Sequence, residues 1–272
     1  MSPDEVNPPG RRRARLLVAY DGAQFHGFAA NDGVATVMGS LADAVGRIVR
    51  STPDDLGLVG AGRTDAGVHA WGQVVSCALP AETDLGDLAY RVNRMLGPSI
   101  AVRAADWVPD DFHARFSATA RHYRYLVWNA QHPNPLLADR SWHVPAPLAR
   151  WALDAACDPL LGEHDFSSFC RRPKVEDGEP EPTLVRRVID ARWSNVDEHL
   201  LRFEISANAF CQQMVRSIVG TLVDVGRGKL TPGEIRSIIA AHDRSAAGTV
   251  APPHGLTLWQ VDYPDASEEA SR

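Results

Sequence analysis

Gly60-Ala61-Gly62-Arg63-Thr64-Asp65-Ala66-Gly67-Val68-His69-Ala70 is a charged, glycine-punctuated stretch set between two apolar runs, residues 56–59 and 73–79. Both runs have the short, β-branched character of strands, and the glycines permit backbone angles closed to other residues. The stretch therefore predicts a strand, a tight loop and a returning strand, with Asp65 held on the loop. An aspartate in a turn commonly serves the turn itself, because its side chain bonds nearby backbone N–H groups. Arg63, two residues away, reads on its own as one half of a surface ion pair. Phosphate cradles are the obvious rivals, and the spacing excludes both. A dinucleotide fingerprint needs glycine where Asp65 stands, and a P-loop needs Lys and then Ser or Thr after Gly67, where Val68 and His69 stand.

Working outward, residues 15–20 read as a strand, followed by the turn Asp21-Gly22 and a loop containing Phe25-His26-Gly27-Phe28. Val37, Leu41, Ala42, Val45, Ile48 and Val49 then recur at helical spacing. After the loop and its strand come a helical stretch over 85–96 and a strand over 100–108. The order βαββαβ is that of the ferredoxin-like split unit. The second half repeats it with insertions: a strand at 118–128, a helix at 147–161, strands at 184–193 and 200–205, helices at 209–225 and 232–242, and a last strand at 256–263. The expected fold is α+β, with two ferredoxin-like (RRM-like) halves forming a continuous mixed, mainly antiparallel sheet and helices packed on one side. The expected division is a disordered basic arm at 1–13, an N-terminal half at 14–112, a C-terminal half at 113–264 and a disordered acidic tail at 265–272. Residues 171–182, rich in charge and proline, are expected to form a mobile surface loop.

The 272 residues suffice for a substantial core, and 44% hydrophobic with 23% charged residues is the composition of a soluble globular protein. No run approaches the roughly 18 apolar residues that span a bilayer, nor does residues 16–20 make a signal-peptide core, so the chain is expected in the cytoplasm. Cys77, Cys157, Cys170 and Cys211 lack CxxC spacing, which argues for buried free thiols and against a zinc site or disulfide framework. Glu163-His164-Asp165 reads as polar surface, and no metal or cofactor is expected. The net charge of −6 is unfavourable for an RNA-binding protein, but basic residues cluster at Arg11, Arg12, Arg13, Arg15, Arg171, Arg172, Lys174, Arg186 and Arg187.

Three stretches bear on chemistry. Arg63-Thr64-Asp65-Ala66-Gly67-Val68-His69 closely resembles the catalytic loop of the bacterial tRNA pseudouridine synthase A family. Residues 111–125, Asp-Phe-His-Ala-Arg-Phe-Ser-Ala-Thr-Ala-Arg-His-Tyr-Arg-Tyr, resemble a second motif of that family, and Asn208-Ala209-Phe210-Cys211-Gln212-Gln213-Met214-Val215-Arg216 a third. In the third, Met214, Ile218 and Leu222 share an apolar stripe, while Gln212, Gln213 and Arg216 share a polar face. The resemblance extends from about Leu16 to Tyr263, including Val261-Asp262-Tyr263-Pro264.

The resemblance implies the pseudouridine synthase fold and a cofactor-free isomerase that converts uridines at positions 38, 39 and 40 of the tRNA anticodon stem-loop, acting as a homodimer. It implies Asp65 as nucleophile, with Arg63, Tyr123 and Arg216 as further catalytic residues. Arg216 pairs with the aspartate, and Tyr123 lies against the target base, in a cleft between the halves. Substrate contacts are expected from Arg63, Thr64, His69 and Tyr123, and RNA contacts from Phe28, His113, Arg115, Arg121 and the arm residues Arg11, Arg12 and Arg13. The sequence departs from the family at Phe28-Ala29, where Trp-Gln is typical, at Met38, where glutamine is usual, and at Gln212 and Gln213, where histidines are often found. Two other readings share these residues: a catalytically silent tRNA-binding module, and a hydrolase pairing Asp65 with a second carboxylate such as Asp110, Asp111 or Glu163.

Overall fold

A computed structural model describes residues 9–172 and 182–264. The first part of the expected arm, the acidic tail and most of the 171–182 loop lie outside the described residues. In chain order the elements are β1 (Arg11–Tyr20), α1 (Val37–Val49), α2 (Pro53–Leu56), β2 (Val59–Gly60), β3 (His69–Pro80), α3 (Leu85–Leu96), β4 (Ile100–Trp107), β5 (Ala120–Trp128), β6 (Trp142–His143), α4 (Arg150–Ala155), β7 (Gly162–Asp165), β8 (Val185–Asn195), β9 (Leu200–Ala207), α5 (Met214–Gly226), α6 (Glu234–Ala241) and β10 (Leu256–Asp262). The chain is α+β, and its helices pack on one side of the strands. It divides into two compact units, one made of residues 1–119 with 258–272 and the other of residues 120–257.

In the first unit the strand order is β4-β1-β3-β10, with β2 attached to β3. β1 runs antiparallel to both β3 and β4. Ala14, Leu16, Val18 and Tyr20 alternate along β1 and are buried, the period of two expected of a strand with one face on a core. Over that face lies α1, whose Leu41, Ala44 and Val45 are buried and whose Thr36 hydroxyl accepts from Gly39 N at 3.2 Å to satisfy a first-turn N–H. α3 is capped by Asp84, which accepts from Gly86 N and Asp87 N, and it buries Leu88 and Val92. Each such aliphatic side chain taken out of water contributes about 1.5–3 kcal/mol.

In the second unit the order is β5-β9-β8-β7, all antiparallel, with β6 parallel to β5. β5, α4, β8, β9 and α5 repeat the strand–helix–strand–strand–helix order. Met214, Ile218 and Leu222 of α5 are fully buried.

Four expectations need correction. β1 begins at Arg11, so Arg11, Arg12 and Arg13 belong to a strand and not to an arm, paired with Pro80, Leu79 and Ala78. Residues 53–56 form a short helix closed by a reciprocal Thr52–Asp55 cap, leaving only Val59 and Gly60 as the strand before the loop. α5 starts at Met214, five residues later than its apolar periodicity suggests, because Gln213 adopts a left-handed conformation (φ +65°) and stops the helix from extending toward Ala209. Cys170 and Cys211, read as free thiols, are joined by a disulfide with Cα atoms 5.8 Å apart, while Cys77 and Cys157 are free and buried. The two bonded cysteines lie 41 residues apart, so no local spacing announces the pair.

Candidate active site

In the first unit the Asp65 loop is clamped from several directions, and each clamp needs a particular residue. Tyr20, at the end of β1, brings its hydroxyl to 2.8 Å from Thr64 Oγ1 in the buried interior. Gln73 on β3 donates from Nε2 to Gly62 O at 2.8 Å, and Ala61 N donates to Val74 O at 2.8 Å. Within the loop, Val68 N donates to Asp65 O at 3.1 Å, closing a turn in which Gly67 holds φ +78°. Burial raises the Tyr20 phenol to about 12, against the opposing hydrogen bonds from Thr64 and Gln73, so it stays a neutral partner at physiological pH.

The segment after β1 closes over the same loop. A Cβ on Gly22 would lie 2.0 Å from Val68 O, so only glycine lets the two backbones approach this closely. Gly27, at φ +101°, passes against the backbone of Thr64, Asp65 and Ala66, and Phe28 N donates to Thr64 O at 3.1 Å. The Phe28 ring fills the space above Gly60, where a Cβ would meet it at 2.3 Å, and stacks on Tyr20. His69 Nδ1 lies 3.1 Å from both Gly22 N and Asp21 Oδ1. The outcome is a loop whose backbone is fixed on both flanks, with Asp65 partly exposed and Arg63 exposed at its crest.

The structure places the residues expected to contact substrate and RNA as follows. Thr64 and His69 are buried and act as internal ties of the loop. Phe28, expected on the RNA entrance, is only 2% exposed, because the position is a core plug against Gly60 and Tyr20. Arg13 is also buried and donates to Asp110 O, while Arg11 donates to Asp55 O, Ala78 O and Ser51 Oγ. Of the three, Arg12 is the exposed one, lying 4.6 Å over the Trp107 ring. His113 caps its own turn: its Nδ1 accepts from Arg115 N and Phe116 N, both at 3.2 Å. Burial and then the Arg13 charge hold its pKa below the ordinary histidine value. Arg115 is exposed, with its guanidinium 5.4 Å over the Phe116 ring.

In the second unit Tyr123 and Arg121 stand on β5 with their side chains toward the buried face. Phe210 packs edge-on against Tyr123 at 5.1 Å, and Arg121 Nη1 donates to Asn208 O at 2.7 Å. Asn208 Oδ1 in turn accepts from Arg187 N and Ala209 N. Arg121, expected to face RNA, is therefore a buried tie that organises the 208–213 segment. Arg216, the third residue of α5, donates from Nε to Ala251 O at 2.8 Å, and Ala251 N returns a bond to Arg216 O at 3.0 Å. Gly220 makes this possible, since a Cβ there would lie 1.7 Å from Thr249 O. Tyr125 beneath is fully buried and donates to Pro252 O at 2.8 Å, and its phenol pKa is pushed up by burial, with the Arg216 charge opposing.

Residues that the sequence does not single out support these positions: Tyr20, Gly22 and Gln73 around the loop, and Phe210, Gly220 and Ala251 around Tyr123 and Arg216. A glycine in the middle of an apolar helix was the one visible signal for Gly220.

A family model described as tRNA pseudouridine synthase matches residues 156–264. The tRNA pseudouridine synthase A of Bacillus licheniformis is 38% identical over 252 residues, 92% of this chain and 99% of the relative. That of Cereibacter sphaeroides is 41% identical over 254 residues, 93% of this chain and 97% of the relative. Among solved structures, the archaeal box H/ACA sRNP Nop10–Cbf5 complex is matched at 11% identity and a TM-score of 0.35, over 86% of this chain and 59% of that one. With relatives at this identity matched over nearly their whole length, and with the loop, Tyr123 and Arg216 motifs all present, the chain belongs to the tRNA pseudouridine synthase A family.

Proposed function

We propose that the chain isomerises uridine to pseudouridine at positions 38, 39 and 40 of the tRNA anticodon stem-loop, with Asp65 as nucleophile. The observation that carries this reading is the partly exposed Asp65 on a loop held by backbone contacts from both flanks, in a chain of which 92% matches a tRNA pseudouridine synthase A. A uridine inside a stem is out of reach, so it must be unstacked and flipped, at a cost of about a few kcal/mol. Arg63, exposed on the same loop two residues before Asp65, supplies a positive charge that steers the nucleotide. The N1–C1′ bond breaks and a C5–C1′ bond forms, the C5 proton leaves and N1 gains one. Asp65 drives this by attack at C1′, by attack at C6, or by elimination through the sugar. The uracil turns between the two bond events, so its planar ring must be held meanwhile, and Tyr123 is the aromatic residue assigned to that role. Arg216 is assigned to aligning the nucleophile, a task suited to its rigid planar fork. A homodimer in the cytoplasm completes the reading.

The test is tritium release from tRNA carrying C5-labelled uridine, with mapping of the product. The wild-type chain is expected to release tritium and Asp65→Ala to release none while melting like the wild type. An Asp65→Ala protein that still makes pseudouridine overturns the assignment. Tight tRNA binding without release would indicate a silent binding module, and free uracil as product a hydrolase.

A further inference from the structure

β3 leaves the Asp65 loop at His69, and its third residue, Trp71, is 44% exposed. Two irregularities in strand pairing put it at the surface. Trp71 and Gly72 together face the single residue Ala19, since Val18 pairs with Gln73 and Tyr20 with Ala70. On the other edge of β1, Leu17 pairs with Ala104 and Val18 with Val102, leaving Arg103 as the extra residue of β4. Bulges of this kind turn a side chain away from its regular direction. Here they turn two toward each other: the Arg103 guanidinium sits 3.6 Å from the centre of the Trp71 ring, and its Nη1 donates to Trp71 O at 2.9 Å.

Trp71 has a second planar neighbour. The Trp259 ring of β10 lies 6.1 Å away at an interplanar angle of 25°. Gly72 allows that approach, because a Cβ there would lie 2.3 Å from Trp259 O. β1 with β4 lies on one side of β3 and β10 on the other, so Arg103 and Trp259 approach the indole from opposite sides in the strand order. The three groups make a column, Trp259–Trp71–Arg103, whose outer end is the exposed guanidinium. Among the described residues no carboxylate lies within ion-pair distance of Arg103.

We propose that this column is a stacking step for a base of bound tRNA outside the target nucleotide, with Arg103 taking the base on its planar face and a phosphate at its N–H edge. The proposal rests on the reading that this chain acts on tRNA. A stacked arginine is suited to both parts of a nucleotide, since bases stack on guanidinium planes and the N–H groups pair with phosphate oxygens. The column stands on the strand that leaves the loop, with Trp71 six residues after Asp65 in the chain, which puts it on the part of the unit that carries the proposed nucleophile. Three side chains do not make a protein docking face, which takes about 20–30 residues a side.

The experiment is the affinity for fluorescently labelled tRNA, by anisotropy, of Trp71→Ala, Trp71→Phe and Arg103→Ala proteins over a range of salt, with turnover at saturating tRNA. Trp71→Ala and Arg103→Ala are expected to bind about 5- to 150-fold more weakly, the usual loss for one stacked base. Arg103→Ala should also reduce the slope of log Kd against log salt by about 1. Trp71→Phe, which keeps a ring under the guanidinium, should retain most of the affinity, and turnover at saturation should be preserved in all three. If Trp71→Ala melts early, the exposed Arg103→Ala carries the test alone. Binding within about twofold of wild type for Arg103→Ala overturns the proposal, the loss expected from one stacked base being larger. So does a loss of affinity that appears only together with a changed oligomeric state by sedimentation, which would make the patch a contact between two copies. A wild-type chain that binds tRNA but forms no pseudouridine defeats the proposed reaction and leaves this binding test standing.

Discussion

Gly22→Ala isolates what the clamp on the Asp65 loop is for. The substitution adds one methyl group at a backbone with ordinary, unstrained φ, so any effect comes from contact. That methyl would lie 2.0 Å from Val68 O and 2.5 Å from Val68 C, both backbone atoms, and must retreat by about 1 Å to reach even a very close contact of 3.0 Å. Val68 cannot retreat alone, because its N–H bonds Asp65 O and its neighbour His69 bonds Gly22 N. The shift therefore passes to Asp65, three residues away. Crowding of this kind costs about 1–3 kcal/mol of stability, and a misplacement of about 1 Å in a reacting group costs about 10²-fold in rate. The assay is single-turnover tritium release at saturating tRNA, alongside thermal unfolding and tRNA affinity. We expect the rate of bond chemistry to fall about 10²-fold, with affinity for tRNA within about threefold of wild type because the loss is confined to positioning. Gly62→Ala is the control within the same loop, since a Cβ there meets nothing within 4 Å, and should change the rate by less than about twofold. A Gly22→Ala enzyme with wild-type single-turnover rate and melting temperature, or a Gly62→Ala enzyme equally impaired, would refute the clamp.

The same logic applies to the second unit: Gly220→Ala places a methyl 1.7 Å from Thr249 O, should cost about 1–3 kcal/mol of stability, and should lower turnover through Arg216, whose Ala251 bonds depend on that crossing. Unchanged melting and turnover would count against it. Stability should also fall in alkali. Burial raises the Tyr20 phenol from 10.0 to about 12 and the Cys77 and Cys157 thiols from 9.0 to about 12, so the unfolded chain ionises first. These contributions are complete below pH 9 and are lost progressively as pH rises toward 12, with Tyr20 alone accounting for about 2–3 kcal/mol. Urea unfolding midpoints at pH 8, 9.5 and 10.5 that do not decline would contradict this. Finally, the Cys170–Cys211 cross-link closes a span of 41 residues, and dithiothreitol should lower stability by up to about 4 kcal/mol. Coincident melts with and without reductant, together with four titratable thiols before reduction, would exclude the bond.

The legible part of the fold was the part written in short-range pattern. The strand character of β1 and the helical spacing of α1 follow from which side chains must leave water, and the structure keeps both, whereas the helix expected over 147–161 is helical only over Arg150–Ala155 and is followed by the strand Gly162–Asp165. α5 shows the limit of such patterns: its apolar stripe is legible in the sequence, but its start is set by Gln213, whose left-handed backbone periodicity does not encode. The disulfide was missed for a related reason, its two cysteines being brought together by segments 41 residues apart.

What the sequence by itself determined was chemical identity: an aspartate on a glycine-bounded loop, with a tyrosine and an arginine in motifs far along the chain. Those are properties of residue type and spacing. Only the tertiary structure decided which residues face outward and which are supports. Phe28, Thr64, His69, Arg13 and Arg121 all look like ligand contacts in a string of letters, and all are buried in the fold. Trp71 and Arg103 look unremarkable in sequence and meet at the surface because two bulges turn them there. Exposure and close approach are set by contacts between distant segments, whose positions depend on how the whole unit packs, and a local pattern carries no record of that.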